Sequence, residues 1–122
     1  MAHLITLKTF ADERGKLTVV EDKELPFKIK RSFVIYGLKQ DAVRGKHRHK
    51  KTVQAMVCLK GSCEVYNNTG AKEQRFLLDS PEKCLILEPN DWHSMFNFST
   101  DGILQVFASE HFDPQDYIYE PY

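Results

Sequence analysis

The segment Arg44-Gly45-Lys46-His47-Arg48-His49-Lys50-Lys51-Thr52-Val53-Gln54 sets two histidines one residue apart inside a run of cations. Along an extended strand successive side chains point to opposite faces, so His47 and His49 share one face while Lys46 and Arg48 take the other, facing solvent. Gln54 has the opposite parity and joins the histidines only if the chain turns or bulges near Lys50–Thr52. Further on, Pro89-Asn90-Asp91-Trp92-His93, with Asn97 four residues later, sets a third histidine beside the only tryptophan. Three of the five histidines thus stand in two short motifs, each next to a turn, which suits convergence in the mouth of a barrel.

Outward from these motifs the chain reads as strands. Short runs rich in Val, Ile, Phe, Tyr and Leu alternate with Gly, Asn, Asp, Ser and Pro, and apolar residues hardly ever recur at helical spacing. The expected strands are 4–9, 16–20, 29–36, 44–49, 54–60, 63–67, 73–78, 83–87, 94–98 and 103–108. Lys60-Gly61-Ser62, Asn67-Asn68-Thr69-Gly70, Asp79-Ser80-Pro81 and Ser99-Thr100-Asp101-Gly102 supply the turns, with residues that tolerate positive φ or bond their own backbone. About ten such strands make an all-β sandwich or small barrel of one domain, residues 1–122. The stretch 112–122, with two prolines and three tyrosines, reads as an arm laid over the body with one helical turn.

Composition narrows the function. Of 122 residues, 42% are apolar and 28% charged, enough for one packed core. Seventeen Lys and Arg balance seventeen Asp and Glu, so the chain has no basic field for nucleic acid or an anionic membrane, and a charged ligand must be met locally. There is no apolar run of spanning length and no signal-like start, so the expected location is the cytoplasm. Cys58, Cys63 and Cys84 lie in apolar surroundings without a CxxC pair and are expected to be buried free thiols.

The histidine motifs resemble those of the cupin superfamily. Its first motif, Gly then HxH, a carboxylate or amide, and a later Gly, is matched by His47, His49, Gln54 and Gly61; its second by Pro89, His93 and Asn97. Metal-holding cupins place a Glu where this chain has Gln54, which removes the charge that would offset a divalent cation. A wider set of segments is similar to the WxcM-like dTDP-sugar 3,4-ketoisomerases: Asp12-Glu13-Arg14-Gly15, Ile29-Lys30-Arg31 leading to Tyr36, residues 44–51, Cys58-Leu59-Lys60-Gly61-Ser62-Cys63, Leu78-Asp79-Ser80-Pro81, Trp92-His93 and Asp116-Tyr117-Ile118.

That resemblance implies a cupin jelly roll acting on dTDP-4-keto-6-deoxyglucose, without metal or other cofactor, to move the carbonyl from C4 to C3 through an enediol. By correspondence with the family, His47 is the base, suited by an ordinary pKa of ~6.5, and His49 its partner on the sugar oxygens. Tyr36 offers a phenol, and Gln54 can both donate to and accept from a neutral enediol. Arg14, Arg44 and Lys51 are the candidate cations for the diphosphate. Arg14 together with His93 resembles the branch that gives the galacto product. The family also implies a homodimer that exchanges N-terminal strands, for which 4–10 is the candidate. Two other readings stay open: a metal-dependent cupin oxygenase or isomerase, and a non-catalytic cupin that senses nucleotide sugars.

Overall fold

The computed structural model describes residues 1–122. Twelve strands run in the order β1 (His3–Thr6), β2 (Thr9–Asp12), β3 (Gly15–Thr18), β4 (Arg31–Ile35), β5 (Arg44–His49), β6 (Gln54–Lys60), β7 (Cys63–Asn68), β8 (Glu73–Leu78), β9 (Lys83–Leu87), β10 (Trp92–Phe96), β11 (Ile103–Ala108) and β12 (Tyr117–Ile118). The only helical pieces are 3-10 turns at Asp22–Glu24 and Pro114–Asp116, and no helix is long and apolar enough to cross a membrane.

All pairings are antiparallel. One five-stranded sheet has the order β1-β9-β6-β11-β4, the other β12-β5-β10-β7-β8, and β2 with β3 forms a separate hairpin. The two large sheets close on a common core in which Met56, Leu85, Leu104 and Val106 from the first meet Val65, Leu78 and Met95 from the second. This is the jelly roll expected of a cupin.

Alternation explains the strands that have one wet face. In β7 Cys63, Val65 and Asn67 are buried while Glu64, Tyr66 and Asn68 lie between them, partly exposed. The middle of the first sheet differs, because β6 and β9 are buried on both faces. Ala55, Val57, Cys84 and Ile86 point away from the main core and are covered by Leu7 and Leu25, with Val20, Phe27 and Ile29 packed alongside. The segment before β4 thus roofs the outer face of the sheet, and each large side chain it helps to bury contributes ~1.5–3 kcal/mol. The three cysteines are free and buried, as expected.

Five of the expected strands have other bounds, two of them slightly: 16–20 is observed as Gly15–Thr18 and 63–67 as Cys63–Asn68. The expected strand 4–9 stops at Thr6, and Thr9 instead begins β2, which pairs with β3 from Thr9↔Thr18 to Asp12↔Gly15. β4 is shorter than 29–36. The expected strand 94–98 starts earlier, at Trp92, and ends before Asn97, whose φ of 56° turns the chain out of the sheet. The C-terminal arm has its single helical turn, followed by β12 on the edge of β5.

Candidate active site

β5 and β10 run side by side within the second sheet, with His93 directly opposite His47. The next pairs are Ser94↔Gly45 and Met95↔Arg44, so Lys46 is an extra residue, a bulge. Gly45 (φ 82°) and Lys46 (φ 61°) take the left-handed conformations the bulge requires. A side chain at Gly45 would also collide with β10, since its Cβ would lie 3.0 Å from the His93 carbonyl oxygen and 3.1 Å from Met95 Sδ. The bulge has a chemical result: Arg44 and His47, of opposite parity, both line one cavity.

That cavity is about 210 Å3 and is lined by Arg44, His47, Gln54, His93, Met95 and Tyr117 among others. His47 and His93 line it and His49 packs against both, with ring centres 4.9 Å apart for His47 and His49, 4.9 Å for His47 and His93, and 6.0 Å for His49 and His93. One ring nitrogen from each of the three falls within 4.8 Å of the others. A divalent cation could span such a gap, but Gln54 beside it brings an amide and no negative charge. The Gln54 side chain is buried, and its Oε1 has no partner in the protein.

Each imidazole is oriented through Nδ1. His47 Nδ1 donates to the Gly45 carbonyl at 3.0 Å, His93 Nδ1 to the Asp91 carbonyl at 3.1 Å, and His49 Nδ1 to Asp116 Oδ2 at 3.0 Å. All three partners are acceptors only, so in the neutral rings the proton sits on Nδ1 and Nε2 keeps a lone pair. Nε2 of His49 and of His93 are buried with no partner in the protein.

Burial pushes His47 down to about 4, helped by neighbouring His49, and pushes His93 down to about 3. His49 is also lowered by burial, but the Asp116 carboxylate opposes the shift. Burial pulls Asp116 upward, yet the Thr52 hydroxyl, the Lys51 backbone N–H and His49 outweigh it and hold the carboxyl below its ordinary range. At neutral pH the pocket therefore holds uncharged imidazoles able to accept a proton.

The expected site residues divide into two groups. His47, His49, Gln54, His93 and Arg44 come together, and the break between β5 and β6 brings Gln54 to the histidine face as its parity required. Lys51, Arg14 and Tyr36 do not join them within this chain. Lys51 bonds Asp116 through its backbone at 2.9 Å, and its side chain lines a different cavity with Lys30 and Glu110. Arg14 lies in the turn of the β2–β3 hairpin, paired with Asp12 at 2.6 Å. Tyr36 follows β4 and is 71% exposed. Arg48 also departs from expectation: it stacks its guanidinium 4.3 Å from the Tyr122 ring centre and donates to the Tyr122 hydroxyl, so it anchors the arm rather than facing solvent freely.

Two side chains of the arm were not anticipated. Tyr117 lies 4.5 Å from the His49 ring and 4.8 Å from His47, and Asp116 is only 4% exposed behind His49. The segment Asp116-Tyr117-Ile118 carried part of the family resemblance, which was the available signal.

A jelly roll with a neutral histidine cluster beside a cavity defines a cupin-type site. Its family follows from comparison: the whole chain, residues 1–122, matches the family described as "FdtA: WxcM-like, C-terminal", and it belongs to that family. It is 43% identical over 116 residues to TDP-4-oxo-6-deoxy-alpha-D-glucose-3,4-oxoisomerase of Aneurinibacillus thermoaerophilus, covering 94% of this chain and 84% of that one. The QdtA 3,4-ketoisomerase of Thermoanaerobacterium thermosaccharolyticum, solved with TDP, is 38% identical with a TM-score of 0.94, covering 98% of this chain and 88% of that one. A His-to-Asn variant of the same enzyme, solved with TDP-4-keto-6-deoxyglucose, is 37% identical with a TM-score of 0.94, covering 98% and 87%.

Proposed function

We propose that this protein is a 3,4-ketoisomerase of TDP-4-keto-6-deoxyglucose, the reading carried by three clustered neutral imidazoles with free Nε2 lone pairs, two of which, His47 and His93, line one small cavity. The reaction needs a base for the C3 hydrogen, and His47 Nε2 serves. The pair of the broken C3–H bond forms the C3–C4 double bond while O4 gains a proton; O3 then loses its proton to become the ketone, and C4 takes a proton back. The overall formula is unchanged. His49 exchanges protons with the two oxygens, and Gln54 donates to one while accepting from the other.

At about 210 Å3 the cavity is smaller than the ~300–1,000 Å3 typical of larger ligands, which suits the hexose alone. The nucleoside diphosphate then lies outside, with Arg44 at the cavity wall as its first cation. Arg14, Lys51 and Tyr36 reach substrate only through a second subunit or a different pose. A homodimer supports the former for Arg14: the β2–β3 hairpin that carries it pairs with neither large sheet and exposes Phe10 and Leu17 opposite each other. In this chain β1 pairs with its own β9, so an exchange of N-terminal strands would transfer that pairing to the partner. The galacto configuration at C4 rests on the pair Arg14 and His93.

Incubating the purified protein with TDP-4-keto-6-deoxyglucose in deuterated water tests the reading. The expected product is the 3-keto isomer with deuterium at C4, and in product made in ordinary water a small H4–H5 coupling marks the galacto form. Nucleotide sugar recovered unchanged, though bound, would overturn catalysis in favour of a sensor; loss of turnover with a chelator and its return with one metal would favour a metal-dependent cupin.

A further inference from the structure

The C-terminal arm brings into the cluster one ionisable group that the scheme above leaves without a part, the Asp116 carboxylate. We propose that Asp116 is the positioning residue for His49, fixing its proton on Nδ1 and supporting the imidazolium that forms whenever His49 Nε2 holds a proton from the hexose. For the reaction this rests on the isomerase reading; for the tautomer it rests on geometry alone.

The carboxylate is held from several sides. Oδ2 accepts from His49 Nδ1 at 3.0 Å and from the Thr52 hydroxyl, and Oδ1 accepts from the Lys51 N–H at 2.9 Å. The Asp116 carbonyl in turn accepts from the Lys50 N–H at 2.8 Å, and the next residue pairs with His49 itself, Tyr117↔His49. The turn that reverses β5 towards β6 thus supplies most of the donors, and carboxylate and imidazole are nearly solvent-free, at 5% and 2% exposure.

The contrast with the other two imidazoles gives Asp116 its meaning. His47 and His93 direct Nδ1–H at neutral backbone carbonyls, which favour a charged ring but are outweighed by its burial. Only His49 has an anion behind it, and an anion stabilises an imidazolium far more than a neutral ring. Around His49 stand the neutral rings of His47 and His93 and the partly buried Arg31 cation, which opposes a positive charge there; around Asp116 stand Lys30, Lys51, Glu110, His111 and Asp113. Without Asp116, no group facing His49 would favour its protonated form. The arm is therefore part of the catalytic apparatus as well as a cover.

Asp116→Asn separates positioning from simple anchoring. An asparagine amide can donate to His49 Nδ1, which forces the proton onto Nε2 and removes the lone pair there. Long-range nitrogen–proton NMR should show His49 with Nδ1–H in the native protein and Nε2–H in Asp116→Asn. With the nucleotide sugar, kcat should fall at least ~100-fold while KM moves only a few-fold. Arg48→Ala, which frees Tyr122 at the far end of the arm, should keep Nδ1–H and lose only a few-fold. Nε2–H in the native protein, an unchanged tautomer and kcat in Asp116→Asn, or equal losses in both variants would overturn the proposal. A native protein that shows Nδ1–H but leaves the nucleotide sugar unchanged would sink the isomerase reading and keep the tautomer assignment.

Discussion

The histidine cluster and the β2–β3 hairpin are both candidate substrate regions, and they are built in opposite ways. In the cluster every Nδ1 has an acceptor, burial has stripped the rings of charge, and β5, β10 and the arm supply all the parts from one chain. In the hairpin the strands pair only with each other, Phe10 and Leu17 are 63% and 60% exposed, and Arg14 bonds nothing beyond Asp12 two residues away. A balanced total charge conceals this division. The histidines proposed to transfer protons are assembled within the fold, while the surface that would recognise a charged, larger ligand is left open at a hairpin.

The largest expected effect falls on the completed region. His47→Asn should lower kcat by ~10²–10⁴-fold with the fold intact by circular dichroism, because it removes the lone pair but keeps a side chain of similar shape. An active variant would transfer the role of base elsewhere in the cluster.

Acid should then strike the same region. His47 and His93 sit at about 4 and about 3 when folded, below the ~6.5 of the unfolded chain. Between those values the unfolded chain binds more protons, so their contribution is complete above pH ~6.5, erodes as pH falls below it, and reaches its minimum near pH 3. Asp116 adds to the loss at the acid end, since its folded pKa lies below its ordinary 3.8. Together they amount to a few kcal/mol on the order expected for shifts of this size, readable as a falling urea midpoint from pH 7 to 4. Constant stability over that range would show that the rings are not held neutral.

Gly45→Ala should cost ~1–3 kcal/mol through its positive φ and the contact with β10, and should disturb activity as well, since it loosens the bulge that aims Arg44 and His47 together. The hairpin should give the smallest change in the folded subunit. Phe10→Asp should leave the unfolding transition of the isolated chain within ~0.5 kcal/mol, yet shift the protein from dimer to monomer in sedimentation. A native protein that sediments as a monomer would break the comparison by making the hairpin an ordinary exposed loop.

Much of this molecule was legible in its residues. Strands 44–49, 54–60, 73–78, 83–87 and 103–108 coincide with β5, β6, β8, β9 and β11 because alternation and turn chemistry agree there. The shared face of His47 and His49 follows from parity alone. Parity fails at Arg44, since an inserted residue changes which side chains share a face and no composition rule announces a bulge at Gly45-Lys46. β2 was hidden because Phe10, Ala11 and Asp12 are all exposed, which leaves no inward–outward pattern. Asp116 was hidden for a different reason: it is 67 residues from His49 in sequence, and only tertiary docking of the arm reveals the pair. Lys51 shows the converse: selected for its charge, it makes its contact with Asp116 through its backbone N–H.

Trp92, the only tryptophan, donates its indole N–H to the Tyr119 carbonyl at 3.2 Å, which ties the arm to the chain's sole strong fluorophore. The emission of this protein is thus a native optical gauge of whether the arm is docked. A red shift or change in lifetime when Arg48 or Tyr122 is altered, or when nucleotide sugar enters, would time the arm's movements in solution without any attached dye.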